Sequence, residues 1–271
     1  MKIVRLGCLT VLSLTMLLGA GCVTEHTGPK SKLGERNPDK AVQLRTQLAG
    51  EYIRNNELDK AKQELDTALK IDSRSAEANL MMGVLLQQEG TPINVQKAEE
   101  YFKRAITINP NFPQARNNYG AYLFQRNRAQ EAIEQFKSAS ASLGYDQRYA
   151  ALENLGRSYL SIGDVVNAEK AFIQALQVNR NSIIAKIELA ELFYLQERFT
   201  LASEMYEDYV RFAGQSTQGA RALWIGARIA RARNDEMGMK VLLNQLRAQF
   251  PDGPEYQRYL QLQHSSEAVW K

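Results

Sequence analysis

The chain has 271 residues, of which 44% are apolar and 24% charged, and its 34 Lys and Arg against 30 Asp and Glu give a formal net charge of +4. This composition is typical of a globular protein, excludes a disordered or collagen-like chain, and disfavours a dedicated nucleic-acid binder. The two Cys and two His disfavour most metal sites and nucleophilic dyads, so we expect no metal, no cofactor and no enzymatic activity.

The first predicted element is an export signal at residues 1–21. Lys2 and Arg5 form a basic start, and no residue from 6 to 22 is charged. Small residues close this stretch immediately before Cys22, which is the order of a bacterial signal peptide. The apolar stretch is shorter than the roughly 20 residues of a membrane-spanning helix, so an uncleaved anchor is the weaker alternative.

The end of this signal resembles a lipobox, the bacterial lipoprotein motif in which small residues precede a Cys that is acylated and becomes the new N-terminus. The match covers Ala20, Gly21 and Cys22, whereas Gly19 stands where the motif prefers Leu and leaves the cleavage register open. The resemblance implies a lipid on Cys22, with plain secretion as the alternative. Val23 is not the Asp that retains enteric lipoproteins in the inner membrane, so the resemblance also implies the outer membrane.

Residues 22–40 predict the acylated Cys followed by a flexible tether. The segment is polar and is interrupted by Gly and Pro. A chain of this kind reaches roughly 20 to 25 Å, enough to hold a folded body clear of lipid head groups. His26 lies here with no second His or carboxylate cluster beside it, so a metal role is disfavoured.

From residue 41 onward, small residues recur at intervals of 34 to 37 residues. One series is Ala61, Ala98, Ala132, Ala168, Ala202 and Gly238, and the second is Ala49, Gly83, Gly120, Gly156, Ala190 and Gly226. Two series with one period predict a solenoid of stacked units. We place six units at 41–75, 76–112, 113–148, 149–182, 183–218 and 219–253, the last one degenerate, and a C-terminal cap at 254–271.

Each unit resembles a tetratricopeptide repeat, in which a large apolar residue, a small residue and an aromatic precede an Ala and a second aromatic. The fourth unit shows the pattern in Leu155, Gly156, Tyr159, Ala168 and Phe172. The resemblance implies an all-α, right-handed superhelical solenoid of six helix-turn-helix repeats with a C-terminal capping helix. The small residue on each first helix lets the second helix approach closely, and each hairpin buries its face only by stacking.

The first helices of such a stack line a concave face, and counting from the start of each predicts which residues point inward. The predicted set is Thr46, Ile53, Leu80, Val84, Gln87, Asn117, Phe124, Arg157, Glu191 and Tyr194. Its apolar members in the first three repeats suit an amphipathic or extended apolar peptide. The alternative is that these side chains pack within the stack.

Other kinds of site find no support in the sequence. Some tetratricopeptide proteins clamp a partner's C-terminal carboxylate with Lys, Asn and Arg, but the corresponding positions here are Thr46, Gly50, Met81, Gln114 and Asn118. Phosphate loops, HExxH, Cys pairs and G-x-S-x-G are absent from the sequence. We assign the acidic pair Glu99 and Glu100 to a solvated helix face. We assign the basic run Arg221, Arg228, Arg231 and Arg233 to a solvated face too, with an anionic partner as the alternative.

Four segments make the resemblance more specific than a general tetratricopeptide repeat. Residues 117–123, 222–231, 246–247 and 250–256 are similar to the type IV pilus biogenesis lipoproteins of the PilF/PilW family. The resemblance implies a pilotin, an outer-membrane lipoprotein that helps the pilus secretin reach the membrane and form its ring, and so supports twitching motility.

We therefore expect a lipid-anchored protein whose repeats face the periplasm. It should be monomeric when free and bind a secretin subunit, with no nucleic-acid partner and no small-molecule substrate. The alternative is an envelope scaffold of the same fold for peptidoglycan hydrolases or outer-membrane protein assembly.

Overall fold

A computed structural model describes residues 37–214, 218–264 and 270. Within these ranges the chain forms thirteen helices and no strand, which confirms the predicted all-α class. The predicted signal peptide, Cys22 and the tether as far as residue 36 lie outside the described residues. In the described part, no helix is both long enough and apolar enough to cross a membrane.

The helices form six consecutive pairs and a closing helix. The first helices are α1 (Pro38–Arg54), α3 (Ala76–Glu89), α5 (Pro113–Gln125), α7 (Arg148–Ser161), α9 (Ile183–Leu195) and α11 (Ala220–Ala232). The second helices are α2 (Leu58–Ile71), α4 (Pro92–Ile108), α6 (Ala129–Ala141), α8 (Val165–Val178), α10 (Phe199–Ala213) and α12 (Glu236–Gln249), and α13 (Pro254–Leu262) follows. Successive first helices contact one another, α7 and α9 through Arg157 and Glu188, so they form one surface, which we call the first-helix face.

Helix α1 begins at Pro38, three residues inside the segment predicted as tether. The Asn37 side chain caps it by accepting a 3.1 Å hydrogen bond from the Lys40 backbone N–H. Pro38 stands in the first turn, where its missing N–H has no intrahelical partner to lose, and Asp39 favours the positive end of the helix. Pro38 therefore starts a helix instead of ending a flexible segment.

Close packing within the three middle pairs explains the series of small residues. The contacts are Gly83 with Phe102, Gly120 with Phe136 and Gly156 with Phe172, and each Phe ring is at most 1% exposed. A Cβ atom on Gly156 would lie 2.7 Å from the Phe172 ring. Each first helix can therefore approach its second helix only because the glycine has no side chain.

Ion pairs join successive repeats. The Glu99 carboxylate on α4 accepts hydrogen bonds of 2.9 Å from both Tyr119 Oη and Arg128 Nη1 of the next repeat. The same connection recurs two repeats later, where Arg198 Nη1 lies 2.8 Å from Glu169 Oε1. The predicted solvated role is therefore wrong for Glu99, whose side chain is only 18% exposed.

The protonation of Glu99 follows from these contacts. Burial alone would raise the pKa of its carboxyl group, but hydrogen bonds from Lys103, Tyr119 and Arg128 outweigh that effect and lower the pKa to about 2. Glu99 is therefore an ionised acceptor at neutral pH. This state suits the connection, because hydrogen bonds to a charged acceptor are stronger than those to a neutral one.

The open end of the stack is covered by α13 and by Trp270, which confirms the predicted capping helix. The Trp270 ring is 1% exposed and stacks on Trp224 of α11 at a centroid distance of 5.2 Å. Its indole N–H donates a 2.9 Å hydrogen bond to the Leu262 carbonyl oxygen, and the Arg231 guanidinium lies 3.9 Å from its ring centroid. The cap therefore buries an apolar helix face that has no further repeat to cover it.

The glycine contacts predict the effect of one added methyl group. Gly156→Ala should lower the free energy of unfolding by about 1 to 3 kcal/mol, because the methyl group overlaps the Phe172 ring. Urea denaturation followed by circular dichroism measures this change. Gly144→Ala is the matched control, since a Cβ there meets no atom within 4 Å. Equal stability of the two variants would show that close helix approach does not depend on glycine.

Candidate functional site

The first-helix face opens into a groove at its N-terminal end. The groove has a volume of about 960 Å³ and is lined by α1, α3, the start of α5 and the loops that connect them. Four positions that hold the carboxylate clamp in other tetratricopeptide proteins line it here, and they carry Thr46, Gly50, Met81 and Gln114. The groove therefore occupies the place of the clamp, with uncharged residues at these positions.

Charges surround the groove at its rim. The exposed side chains of Asp39, Glu51, Arg54, Arg74 and Glu77 contribute to the lining and carry both signs. Arg54 pairs with Glu51 on the same helix. The rim can therefore meet polar groups, while the four uncharged clamp positions offer no counter-ion to a carboxylate.

One polar atom of the lining has no partner. Thr46 is 6% exposed, and its Oγ1 atom makes no hydrogen bond within the described residues. One turn later, Gly50 has no side chain, and a Cβ atom there would lie 3.4 Å from Met81 Cε. The floor of the groove thus contains a buried hydroxyl group without a hydrogen-bond partner, and such a group normally lowers the stability of a protein.

Side-chain amides continue the face beyond the groove. Gln87 Nε2 donates to Gln125 Oε1 at 2.7 Å, and Asn154 Nδ2 donates to Asn117 Oδ1 at 3.3 Å. We call the exposed or half-buried amides of this region the amide strip, and its members are Gln87, Gln114, Asn117, Asn118, Gln125 and Asn154. The strip crosses from α3 over α5 to α7, so its hydrogen bonds also connect successive first helices.

The C-terminal half of the same face is closed by ion pairs. Arg157 Nε lies 3.1 Å from Glu188 Oε1, and Arg221 Nη2 lies 2.8 Å from Glu188 Oε2. Arg221 and Arg228 both pair with Glu191 as well. Burial opposes ionisation of Glu188, but Arg221 and Arg157 outweigh it and hold the pKa of this carboxyl below its ordinary value. These ion pairs therefore connect α7, α9 and α11, although the buried Arg228 Nε atom has no hydrogen-bond partner within the described residues.

The basic run at the C-terminal end is part of this packing. Arg228 is 6% exposed, and its guanidinium lies 5.0 Å from the Tyr194 ring centroid and 5.5 Å from that of Trp224. Arg233 contacts Ser203 and Glu207 of the preceding repeat. The predicted solvated face is thus wrong for Arg228, which has its charge partner inside the fold.

The predicted inward-facing residues fall into two groups. Thr46, Ile53, Leu80 and Tyr194 are at most 6% exposed and belong to the packed interior. Val84, Gln87, Asn117, Phe124, Arg157 and Glu191 are partly exposed on the first-helix face. Ile53 and Tyr194 pack within the stack, as in the packing alternative, and are corrected. Thr46 and Leu80 are also buried, but they line the groove, so only their exposure is corrected. Arg157 and Glu191 belong to the ion-pair network, and the other four surround or form the amide strip.

The sequence prediction missed several residues of this face. Asn154 precedes Arg157 by one helical turn and shares its face, so the same count along α7 could have found it. Gln114, Asn118, Gly50 and Met81 were considered only as clamp positions, although their spacing places them on the face. No sequence signal distinguished Glu188 and Arg221 from ordinary surface charges.

No metal centre accompanies the groove among the described residues, where no three His, Cys, Asp or Glu side chains are grouped to hold an ion. A second cavity of about 320 Å³ lies beside α10 and α12. At its edge, Tyr206 Oη donates a 2.6 Å hydrogen bond to Gln218 Oε1. Since it is smaller and lies away from the amide strip, we take the groove and the strip together as the candidate site.

Comparisons with known proteins agree with this geometry. Tetratricopeptide-repeat family models match residues 42–75, 76–112, 101–134 and 153–217. The chain is therefore a tetratricopeptide-repeat protein, and the predicted solenoid is confirmed. It is 30% identical over 240 residues to the type IV pilus assembly protein PilF of Pseudomonas aeruginosa, which covers 88% of this chain and 92% of the relative. The chain belongs to the PilF/PilW family of type IV pilus biogenesis proteins.

Two solved structures are similar along most of the chain. The structure of Pseudomonas aeruginosa PilF matches with a TM-score of 0.77 and 29% identity, covering 83% of this chain and 98% of the other. PilW, described as a widely conserved type IV pilus biogenesis factor, matches with a TM-score of 0.70 and 29% identity, covering 82% and 99%. The fold and the family together make this chain a type IV pilus biogenesis protein built on a repeat scaffold.

The unsatisfied hydroxyl in the groove predicts a stabilising substitution. Thr46→Val should raise the free energy of unfolding by about 1 kcal/mol, because a methyl group of similar shape replaces a buried hydroxyl without a partner. Urea titration checks the change. The control is Thr107→Val, whose exposed hydroxyl already bonds the Lys103 carbonyl oxygen at 2.8 Å and should gain nothing. A loss of stability in Thr46→Val would mean that this hydroxyl has a partner in solution.

Proposed function

We propose that this protein is a pilotin that binds the secretin subunit of the type IV pilus. In this proposal the groove and the amide strip hold the subunit, and a lipid on Cys22 carries the pair to the outer membrane. There the high local concentration of subunits favours formation of the multimeric ring. The observation that carries the proposal is a large open surface over the first four repeats of a pilus biogenesis protein, with a mixed-charge rim around the groove and side-chain amides beyond it.

The shape of the face supports capture of a polypeptide segment. A groove of about 960 Å³ with a mixed-charge rim is large enough for several residues of a partner, and a non-enzymatic role agrees with it. In the C-terminal half, Glu188 and Glu191 are already paired with Arg157, Arg221 and Arg228. The open N-terminal half is therefore the part of the face with unused binding capacity.

The membrane half of the proposal rests on the sequence. A Cys after a short uncharged stretch and small residues supports acylation, and a multiply acylated Cys can anchor a protein stably where one chain binds only marginally. The polar segment that follows would let the repeats face the periplasm at some distance from the lipid. The groove lies on α1 and α3, at the N-terminal end of the repeats, which is the end that follows the tether in the sequence.

Val84→Glu tests the binding surface. Val84 is partly exposed beside the amide strip, so a charge there should weaken capture of purified secretin at least about tenfold. Because Val84 also packs against the core, the melting curve of the variant is measured alongside. Val166→Glu is the matched control, because Val166 is 64% exposed on the second helix α8. If Val84→Glu melts early, Gln47→Glu tests the same face from an exposed position of the groove. Unaltered capture by both variants would contradict the binding surface.

Cys22→Ala tests the anchor independently. Purified Cys22→Ala protein should bind secretin as wild type does, because the repeats are intact. In cells, the same substitution should reduce both the amount of secretin in the outer-membrane fraction and the amount of secretin multimer. Normal localisation and multimer formation would contradict the anchoring role. If a pull-down from envelope membranes with the wild-type protein recovers hydrolases or a barrel-assembly complex in place of secretin, the result would instead favour an envelope scaffold.

A further inference from the structure

We propose that the cavity between the second helices α10 and α12 binds a tryptophan or tyrosine side chain of a partner polypeptide. We call this cavity the α10–α12 pocket, and its volume is about 320 Å³. The inference goes beyond the proposed function, because it assigns a second contact site and a ligand class to a part of the repeats away from the groove and the amide strip.

The pocket exists because the sixth repeat lacks an aromatic residue on its second helix. In the second, third and fourth repeats, a Phe ring lies against the glycine of its own first helix, as Phe172 does against Gly156. At the matching position the sixth repeat has Leu242, and its glycine, Gly226, is covered instead by the Tyr206 ring of the fifth repeat. A leucine fills less space than a ring, so an open volume remains between Tyr206 and Leu242.

Apolar side chains form the walls of the pocket. Val210 and Leu242 are half-buried, and Val241 is 49% exposed at the rim. A volume of about 320 Å³ is at the lower end of the roughly 300 to 1,000 Å³ that ligand pockets span. The pocket therefore suits a single ring system that enters from the protein surface, and it is too small for a large cofactor.

The polar groups of the pocket require a hydrogen-bond donor from the occupant. Gln245 lines the pocket, and its buried Oε1 atom has no hydrogen-bond partner within the described residues. The Tyr206 hydroxyl donates its proton to Gln218 Oε1 at 2.6 Å, and burial raises the pKa of this hydroxyl, so it stays protonated. Glu207 is the charged residue of the lining, and an ionised carboxylate can only accept. Since no hydrogen bond holds the Gln245 oxygen, this side chain can turn toward an occupant without losing one.

Chemical complementarity identifies the occupant. Indole and phenol each combine an apolar ring with one N–H or O–H donor, which usually finds a partner when it is buried. A phenylalanine ring would leave the Gln245 oxygen unpaired, and a carboxylate would meet Glu207 with no cation in the lining to offset the repulsion. An arginine would compete for Glu207 with Ser203, which already donates a 2.8 Å hydrogen bond to it, and with the nearby Arg233.

The source of the ring follows from how proteins use such pockets. Trp and Tyr side chains that enter pockets are frequent anchors of protein interfaces. The exposed Val241 at the rim and the exposed Met237 one turn before it give an approaching polypeptide apolar surface beside the pocket. A side chain of a partner polypeptide is therefore favoured over a free aromatic molecule.

Methyl NMR of the full chain tests the pocket directly. N-acetyl-tryptophanamide should shift the methyl signals of Val210, Val241 and Leu242 in a saturable manner, whereas the exposed Val166 on α8 should not respond. The analogue methylated on the indole nitrogen lacks the N–H donor, so it should bind about tenfold more weakly, which corresponds to about 1.4 kcal/mol. N-acetyl-argininamide should leave the three signals unchanged.

Two substitutions assign the binding to the pocket. Gln245→Leu removes the acceptor, so the two tryptophan amides should bind it equally. Leu242→Phe supplies the ring that the sixth repeat lacks and should abolish binding of both. The matched control is Leu201→Phe, which adds a ring at an exposed position of α10 outside the lining. If Leu242→Phe melts early, Val241→Phe closes the pocket from its exposed rim.

A photo-crosslinking amino acid at the exposed position 237 identifies the source of the ring in cells. We expect a crosslink to a polypeptide segment that is lost when one Trp or Tyr of that segment is replaced by Leu. The absence of such a crosslink, or a crosslink that survives replacement of every Trp and Tyr in the segment, would overturn the inference.

The NMR titrations contradict the inference in other ways. Absence of saturable shifts, equal binding of the methylated analogue to the wild-type chain, or binding of N-acetyl-argininamide in place of the tryptophan amide would each overturn it. Binding of free indole without binding of N-acetyl-tryptophanamide would overturn it too, because the pocket would then be closed to a polypeptide side chain. Saturable binding that depends on the N–H donor and on Gln245 supports it.

Discussion

The close approach of two helices over a glycine is the contact on which the rest of this structure depends. In the three middle repeats a Phe ring of the second helix lies against a glycine of the first, and no side chain could be added there without overlap. The pairs therefore share one shape, and pairs of one shape stack regularly. Regular stacking brings all first helices to one surface. That surface, and no single loop or pocket, is where we propose that the secretin binds.

The two halves of this surface have different chemistry. Over α7, α9 and α11, Arg and Glu side chains pair with one another, and Arg228 is buried among aromatic rings. Over α1 to α7, the connections between first helices are uncharged amides, and the groove lies at their end. Paired buried charges fix an arrangement firmly but leave little for a ligand, whereas amides can serve both a neighbour and a ligand. On the first-helix face, polar groups are thus engaged in ion pairs at the C-terminal end and available to a ligand at the N-terminal end.

Much of the fold followed from the sequence, because the small residues repeat with a fixed period and the glycines of the second, third and fourth repeats let two helices approach closely. The sequence was a poorer guide to which side chains are exposed on the first-helix face and which are buried in the interior. Thr46, Ile53, Leu80 and Tyr194 were predicted to point inward, but each is at most 6% exposed, and of the four Thr46 and Leu80 line the groove. The period gives the angle of a side chain about its own helix and not the distance to the neighbouring helix. Arg228 was misjudged for a similar reason, since its partner Glu191 lies 37 residues away in the sequence. No pattern of neighbouring residues in the sequence indicates such a pair.

The central claim is that a partner polypeptide binds the open half of the first-helix face in the living cell. A photo-crosslinking amino acid placed at Asn118, on the amide strip, tests it most directly when compared with the same amino acid at the exposed Gln174 of the second helix α8. We predict that the secretin is crosslinked from position 118 and not from position 174. Crosslinking of the secretin from position 174 alone, or from neither position while the secretin still reaches the outer membrane, would contradict it.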